Sequence, residues 1–170
     1  MSHPAGLSRL VSEPQKRRDL MKAKLNYMNA APDAFQAMMA ISTYVEECGL
    51  EHSLLELVKI RASQINGCAF CLDMHTRDAR AAGEAEARIY VLSAWRETEL
   101  YTPREQAALA WTEALTSIDS QEIDPAFDLV REQFTDDEMA KIAVAIGVIN
   151  TWNRLNIAFG VTVAAKKAAA

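Results

Sequence analysis

The sequence predicts an all-α protein, because helix breakers are scarce and apolar residues recur with a helical period. The chain has 6 Gly and 5 Pro among 170 residues. Both shares are lower than those of an average protein, which are about 7% for Gly and about 5% for Pro. No strand-like alternation longer than a few residues competes with the helical pattern. Hydrophobic residues make up 50% of the chain, which is enough for one core. We therefore expect a single helical domain over residues 1–170.

The first half of the chain divides into four predicted helices, and apolar residues recur at near-helical spacing through each of them. Ser53 and Glu56 form the capping-box pattern, in which a hydroxyl and a carboxylate satisfy free amides at a helix start. Gly49, Gly67 and Gly83 each follow a periodic stretch, at the position where a glycine ends a helix. The predicted helices cover residues 12–29, 33–48, 53–65 and 68–82, and a further segment over 85–92 follows.

The second half of the chain contains three more predicted helices. Thr102–Glu105 supplies an N-cap, a proline at the first helical position and a capping-box glutamate. Asp124 and Pro125 predict the start of a short helix. Thr135–Glu138 opens the last long helix, which Gly160 ends. The predicted helices cover residues 103–115, 124–133 and 136–159.

The charge and hydropathy of the chain argue against two classes of partner. The net charge is −5 and the pI is about 5.2, so the chain would repel phosphate backbones, and no dense stripe of Lys and Arg offsets this. The longest apolar stretch, from Ile142 to Ile149, is too short to span a bilayer, and the start of the chain lacks the pattern of a secretory signal. We therefore expect a cytoplasmic protein that binds neither nucleic acid nor a membrane.

One short segment brings together two thiols, an imidazole and a carboxylate. If a helix begins near Asn66-Gly67, Cys68, Cys71 and His75 fall at i, i+3 and i+7 and share one side of it. The two thiols can then reach each other and the imidazole. In a reducing cytosol, a Cys-x-x-Cys pair is more often redox-active or metal-binding than a structural staple. Glu56 comes from the preceding helix, so the segment predicts a reactive site shared by two helices.

The two cysteines of this segment are activated in different ways. Cys68 is predicted to lie in the first helical turn, where free amides and the helix dipole favour a thiolate. Cys71 precedes His75 by four residues, a spacing that lets the imidazole face its sulfur. These local effects favour different cysteines as the nucleophile. Glu56 is placed either to orient His75 and accept its proton, or to complete the capping box of Ser53.

Three interpretations of the cysteine pair are open from the residues, and reversible oxidation is favoured. Zinc bound by Cys68, Cys71 and His75 would lack an evident fourth ligand. An inert buried pair is disfavoured, because two thiols at this spacing beside a histidine are less easily accidental. The prediction therefore includes no metal and no cofactor. We expect Cys48 to be a small, at least half-buried residue and His52 to be a solvated helix-start residue, both outside the catalytic set.

Polar side chains also enter the apolar stripe of the last predicted helix. Asn150, Asn153 and Arg154 lie at i, i+3 and i+4 on the face that the isoleucines of this helix occupy. Buried polar groups need hydrogen-bond partners. We expect a satisfied network with Glu113 or with a neighbouring subunit, and a direct role in substrate binding is the alternative.

The spacing of the reactive residues resembles a known active-site signature. Glu56, eleven residues, Cys68-x-x-Cys71, three residues and His75 are similar to the signature of the AhpD-like alkylhydroperoxidases, within the carboxymuconolactone decarboxylase superfamily. The similarity covers most of residues 30–160 and points to the single-domain members described as peroxidase-related. Outside the signature it includes Leu55–Val58, Ala79–Gly83, Trp95, Glu105–Glu113 and Ile149–Arg154.

The resemblance implies an AhpD-like helical bundle that assembles into a homo-oligomer, such as a trimer or hexamer, and a peroxidase that needs no cofactor. It implies that Cys71 attacks a small peroxide substrate and that Cys68 then condenses with the sulfenic acid to form a disulfide. A dithiol or thioredoxin-like reductant would restore the thiols. Glu56 and His75 would relay the proton that leaves Cys71.

One residue departs from the pattern of the best-studied members, which carry a second histidine between the two cysteines. Phe70 occupies that position here, so the relay lacks one imidazole. The alternatives to a peroxidase are a disulfide oxidoreductase of another kind or a redox-sensing helical assembly protein. The decarboxylase branch of the superfamily lacks the cysteine pair, so lactone decarboxylation is the less expected chemistry.

Overall fold

A computed structural model describes residues 24–118 and 120–163, and every regular element within these ranges is helical, as the sequence predicts. Within the described residues, no helix combines the length and the apolar character needed to cross a membrane. The elements in chain order are α1 (Tyr27–Ala30), α2 (Pro32–Glu47), α3 (His52–Asn66), α4 (Ala69–Ala81), α5 (Glu86–Val91), a 3-10 helix (Leu92–Glu97), α6 (Pro103–Ser117), α7 (Ser120–Gln133) and α8 (Asp136–Phe159).

Most predicted helix boundaries agree with the structure to within two residues. The capping boxes of Thr102 with Glu105 and of Thr135 with Glu138 are both formed, so these two predictions are confirmed. The helix predicted over 12–29 lies largely outside the described residues, and α1 forms from its last part. Segment 85–92 becomes α5 and the start of the 3-10 helix.

One predicted capping box and one predicted helix start are wrong. Helix α3 begins at His52 with Glu51 as its N-cap, and no side-chain capping bond is present there. The Ser53 capping box fails because Glu56 turns into the core and binds other side chains instead. Helix α7 begins at Ser120, so Pro125 lies inside it.

Packing explains why α7 extends past its proline. Pro125 lies beyond the first turn of α7 and lacks the N–H of one helical hydrogen bond, which costs the helix stability. Helix α7 also packs along α6. Its Phe127 ring meets Trp111 of α6 in an edge-to-face contact at 6.1 Å, and Val130 is fully buried. This tertiary packing outweighs the local signal of Asp124-Pro125 for a helix start.

Helix α3 lies at the centre of the bundle and packs against α4, α6 and α8. Leu55, Leu57, Val58 and Ile60 are all buried, so the helix presents apolar side chains on nearly every side. Burying each of these side chains contributes about 1.5–3 kcal/mol. Three polar residues of α3, Glu56, Lys59 and Ser63, are buried among them.

The turn between α3 and α4 places the reactive segment. Gly67 has a φ of 71°, a left-handed conformation that residues with a Cβ adopt at a steric cost. The N–H groups of Gly67 and Cys68 donate to the carbonyls of Gln64 and Ser63, which completes the C-terminal cap of α3. The chain then reverses within one residue, and Cys68 becomes the N-cap of α4.

Candidate active site

Cys68 and Cys71 are bonded as a disulfide at the start of α4. Their sulfur atoms lie 2.27 Å apart and their Cα atoms 5.4 Å apart, within the Cα range of protein disulfides. The two thiols therefore reach each other, as their spacing predicts. Cys68 is the N-cap residue rather than a member of the first turn, and its sulfur accepts a hydrogen bond from the backbone N–H of Cys71 at 3.3 Å. Both side chains are about 1% exposed.

Glu56 of α3 and His75 of α4 form a buried pair beside the disulfide. Glu56 Oε2 lies 3.1 Å from His75 Nδ1. Burial raises the pKa of Glu56. The hydrogen bond to His75, the charge of His75 and the ammonium of Lys59 together lower it by more, so the pKa lies below its ordinary value. Glu56 is thus an ionised acceptor that orients the His75 ring through Nδ1.

Lys59 is a site residue that the sequence did not reveal. Its Nζ donates to Glu56 Oε1 at 2.9 Å and also contacts Glu46. The Lys59 side chain is buried, whereas Glu46 is 45% exposed. A buried ammonium is stable only beside opposite charge, so Lys59 both requires and fixes the Glu56 carboxylate. The one local signal was its place three residues after Glu56, on the same helical face.

Asn156 and Tyr27 were also missed. Asn156 of α8 donates from Nδ2 to Cys71 Sγ at 3.4 Å. The Tyr27 hydroxyl donates to Asn156 Oδ1 at 3.0 Å, and burial raises the pKa of this phenol. In the sequence, Asn156 follows Asn153 by three residues along the polar stripe of α8, which was the available signal. Nothing in the sequence linked Tyr27 to the cysteines.

A cavity of about 480 Å³ opens onto these groups, a volume typical of small-molecule sites. Cys71, Glu56 and His75 line it, and Cys68 is not among its lining residues. Phe70, which replaces the second histidine of the resembled signature, also lines the cavity. The other apolar side chains around it are Met28, Phe35, Met39, Val45, Met74, Ala145, Val148, Ile149 and Trp152.

The zinc interpretation finds little support in this geometry. The sulfur atoms of Cys68 and Cys71 are bonded to each other. Zinc binds cysteine as a thiolate, so neither sulfur is a zinc ligand in this disulfide. Two groups of described side chains bring possible ligand atoms within 4.8 Å of one another, and each includes Glu56 but neither includes a cysteine. In the group that contains Glu46 and His52, Lys59 already supplies a positive charge to both carboxylates.

The residues placed outside the site lie where the sequence predicts. Cys48 is a free, half-buried thiol. His52 is the first residue of α3 and its side chain is 53% exposed, with Nε2 4.0 Å from Glu56 Oε1. It borders the cavity but has no closer contact with the reactive groups than this.

The polar stripe of α8 forms a satisfied network, as expected, but Glu113, one of the two partners considered, is not part of it. Asn66 Nδ2 donates to the side-chain oxygens of Asn150 and Asn153 at 2.7 and 2.9 Å. These contacts tie the end of α3 to α8 directly before the Cys68 turn. Glu113 does not take part, because Arg61, Arg96 and Trp95 occupy its carboxylate.

Comparisons with known proteins agree with the resemblance. The profile of the carboxymuconolactone decarboxylase family matches residues 32–114, which include all four predicted catalytic residues. The uncharacterized protein YdfG of Bacillus subtilis strain 168 is 42% identical over 147 residues, which are 86% of this chain and all of YdfG. The chain belongs to the carboxymuconolactone decarboxylase family.

Solved structures of two further proteins are similar to this family member. One is a protein of unknown function from Agrobacterium tumefaciens, proposed to be the antioxidant defence protein AhpD, at 46% identity and a TM-score of 0.82; the match covers 85% of this chain and all of the other. The second is the debrominase Bmp8, at 20% identity and a TM-score of 0.72, covering 81% of this chain and 75% of that one. The match to Bmp8 establishes a shared fold, and the match to the Agrobacterium protein extends to the sequence.

Proposed function

We propose that this protein is a thiol-dependent peroxidase, which reduces organic hydroperoxides or hydrogen peroxide through Cys71 and Cys68. The observation that carries the proposal is the position of Cys71. Cys71 lines a cavity together with the Glu56–His75 pair and is bonded to Cys68. A nucleophile, a base, a group that orients the base and a resolving thiol are thus side by side, which is the arrangement that thiol catalysis requires.

The proposed cycle has three balanced steps. His75, oriented by Glu56, takes the proton of the Cys71 thiol, and the thiolate attacks the terminal peroxide oxygen, which gives a sulfenic acid and, with that proton, an alcohol or water. The Cys68 thiol then condenses with the sulfenic acid to form the disulfide and release water. Finally, a dithiol reduces the disulfide and is itself oxidised to a disulfide, which restores both thiols.

The geometry favours Cys71 over Cys68 as the attacking thiol. The helix dipole favours a thiolate at the first turn and thereby Cys68. Cys71, however, borders the cavity and receives the hydrogen bond of Asn156. A substrate that enters by the cavity meets Cys71, so we assign the nucleophile to Cys71 and the resolving role to Cys68.

Burial of the cysteines distinguishes a peroxidase from an oxidoreductase that acts on protein disulfides. Both side chains are about 1% exposed, so a folded protein cannot bring its own disulfide against them without rearrangement. A small peroxide needs no such opening. The reductant must also bring its thiol to the cavity, which a small dithiol can enter and which a thioredoxin-like protein reaches only after the same rearrangement.

A turnover assay with matched cysteine variants tests the proposal. The reduced protein is mixed with cumene hydroperoxide and dithiothreitol, and the loss of hydroperoxide is followed. We expect Cys71→Ser to abolish turnover and Cys48→Ser, which removes the thiol outside the site, to leave it unchanged. Wild-type turnover no faster than that of Cys71→Ser would overturn the proposal.

We further propose that the protein forms a homo-oligomer, either a trimer or a hexamer. Large apolar side chains remain exposed on the isolated chain, including Tyr90 at 71%, Leu100 at 45% and Ile157 at 47%, and association would bury such surface. Sedimentation velocity measures the assembly. A single species with the mass of one chain would contradict this proposal.

A further inference from the structure

We propose that Asn156 is a catalytic residue that stabilises the Cys71 thiolate, and that Tyr27 is the positioning residue that orients the Asn156 amide for this task. This inference rests on the proposed function and deepens it. It assigns the charge stabilisation of the nucleophile to α1 and α8, two elements outside the Glu56 to His75 segment.

The contact between Asn156 and Cys71 gains strength when the sulfur becomes charged. In the disulfide, Cys71 Sγ lies 3.4 Å from Asn156 Nδ2 and is a weak acceptor. Reduction and ionisation would turn the same contact into a charge-assisted hydrogen bond. Cys71 is about 1% exposed, and burial without a donor disfavours a thiolate. The amide of Asn156 replaces part of the hydration that the sulfur has lost.

The orientation of the amide decides whether it helps or hinders. With Nδ2 toward the sulfur, Asn156 donates to the thiolate. A flipped amide would point its carbonyl oxygen at the negative charge and repel it. The Tyr27 hydroxyl donates to Oδ1 at 3.0 Å and so selects the donating orientation. Because burial raises the pKa of Tyr27, the phenol keeps the proton that it donates.

Tyr27 is itself held in place by the end of α8. Its ring stacks on Phe159 with the centroids 5.4 Å apart. The backbone N–H of Lys24 donates to the carbonyl of Phe159 at 2.8 Å. These two contacts fix the segment before α2 against the helix that carries Asn156, so the Tyr27 hydroxyl has little freedom to leave Oδ1.

The contribution of Asn156 differs in kind from those of the titratable groups around Cys71. The side chains of His75, Glu56, Lys59 and Tyr27 are of ionisable types, whereas the Asn156 amide does not titrate. Loss of the amide should therefore move the ionisation of Cys71 to higher pH without adding or removing a step in the pH profile. A residue with a purely structural role would not produce this displacement.

The test measures the ionisation of Cys71 directly. In a reduced background that carries Cys48→Ser and Cys68→Ser, the rate of Cys71 alkylation by iodoacetamide is followed against pH. We expect Asn156→Leu to lower the acid dissociation constant of the thiol by about tenfold. A hydrogen bond to a charged group stabilises that group by a free energy that corresponds to a factor of about ten or more in this constant. Asn156→Asp should lower it further, and Tyr27→Phe should lower it less than Asn156→Leu does.

Tyr101→Phe is the matched control, because the Tyr101 hydroxyl donates to the Arg88 carbonyl in another part of the molecule. It should leave the profile unchanged. Unchanged profiles in both Asn156→Leu and Tyr27→Phe would overturn the inference, even if the wild type is an active peroxidase. If Asn156→Leu fails to fold, the conservative Tyr27→Phe variant decides. Displaced profiles in a protein without peroxidase activity would support the inference and remove the proposed function.

Discussion

The Glu56 carboxylate and the His75 imidazole lie 3.1 Å apart, although they belong to different helices and are separated by 19 positions in the sequence. The Gly67 turn makes this possible, because it folds α4 back against α3. Both side chains are buried, so water competes little with their contact. The Glu56 carboxylate therefore binds the His75 ring and does not cap α3.

Removing the charge of Glu56 tests its role in orienting the base. Glu56→Gln keeps the shape of the side chain but weakens its hold on the Nδ1–H tautomer of His75. We expect hydroperoxide turnover to fall by about 10- to 100-fold, the usual effect of losing the partner that orients a functional histidine. Glu113→Gln is the control, since Glu113 is also largely buried and paired with arginines but lies outside the cavity. An equal loss of activity in both variants would contradict the assignment.

The lowered pKa of Glu56 also predicts a pH dependence of stability. A carboxylate whose pKa is lower in the folded than in the unfolded state stabilises the fold at pH values above its ordinary pKa, and this stabilisation disappears as the pH falls through the folded-state value. At pH 7 we expect Glu56→Gln to reduce the free energy of unfolding by about 2–4 kcal/mol. The deficit should shrink below the ordinary pKa of 4.5.

Urea unfolding of wild type and variant at pH 7 and at pH values below 4.5 measures this difference. Other carboxylates titrate in the same range, so the comparison is between the two proteins at each pH. A deficit that stays constant or grows as the pH falls would show that the charge of Glu56 does not stabilise the fold.

Replacement of Phe70 by histidine should raise the rate of hydroperoxide turnover. It borders the cavity at the position where the resembled signature has a second histidine. Phe70→His would add a second proton acceptor close to Cys71, and we expect hydroperoxide turnover to rise by about tenfold, a modest share of what acid–base catalysis can supply. Phe70→Leu, which opens space without adding a base, should not raise it. Equal rates in the two variants would show that space and not the imidazole limits turnover.

The helix caps provide a prediction about stability. Thr102→Ala removes a formed capping box and should lower the free energy of unfolding by about 1 kcal/mol. Ser53→Ala removes a serine that caps nothing and should change it by less than about 0.5 kcal/mol. Chemical unfolding of both variants measures the difference. A larger loss in Ser53→Ala would restore the capping box that the structure contradicts.

The capping patterns show how far a local sequence pattern predicts the structure. A hydroxyl-bearing residue is followed three positions later by Glu both at Thr135–Glu138 and at Ser53–Glu56. At the second site, a histidine from another helix competes for the carboxylate, and no local pattern records that competition. Local propensity therefore predicts the helices but not which partner each polar side chain selects.

The same limit applies to the candidate site. The spacing of Cys68, Cys71 and His75 fixes their common helical side, because it depends on one helix alone. Lys59 and Asn156 enter through the packing of α3 and α8, whose relative register the sequence does not give. The local pattern of residues likewise favours neither cysteine, and the structural support for the proposed choice of Cys71 comes from the cavity, which is formed by several helices.

Mass spectrometry of the oxidised protein tests the central claim most directly. A reduced Cys48→Ser, Cys68→Ser protein is treated with one equivalent of cumene hydroperoxide and a reagent that traps sulfenic acids. We predict that Cys71 gains one oxygen atom and is trapped, while a protein that retains Cys68 forms the Cys68–Cys71 disulfide instead. A Cys71 that remains a free thiol under these conditions would contradict the account.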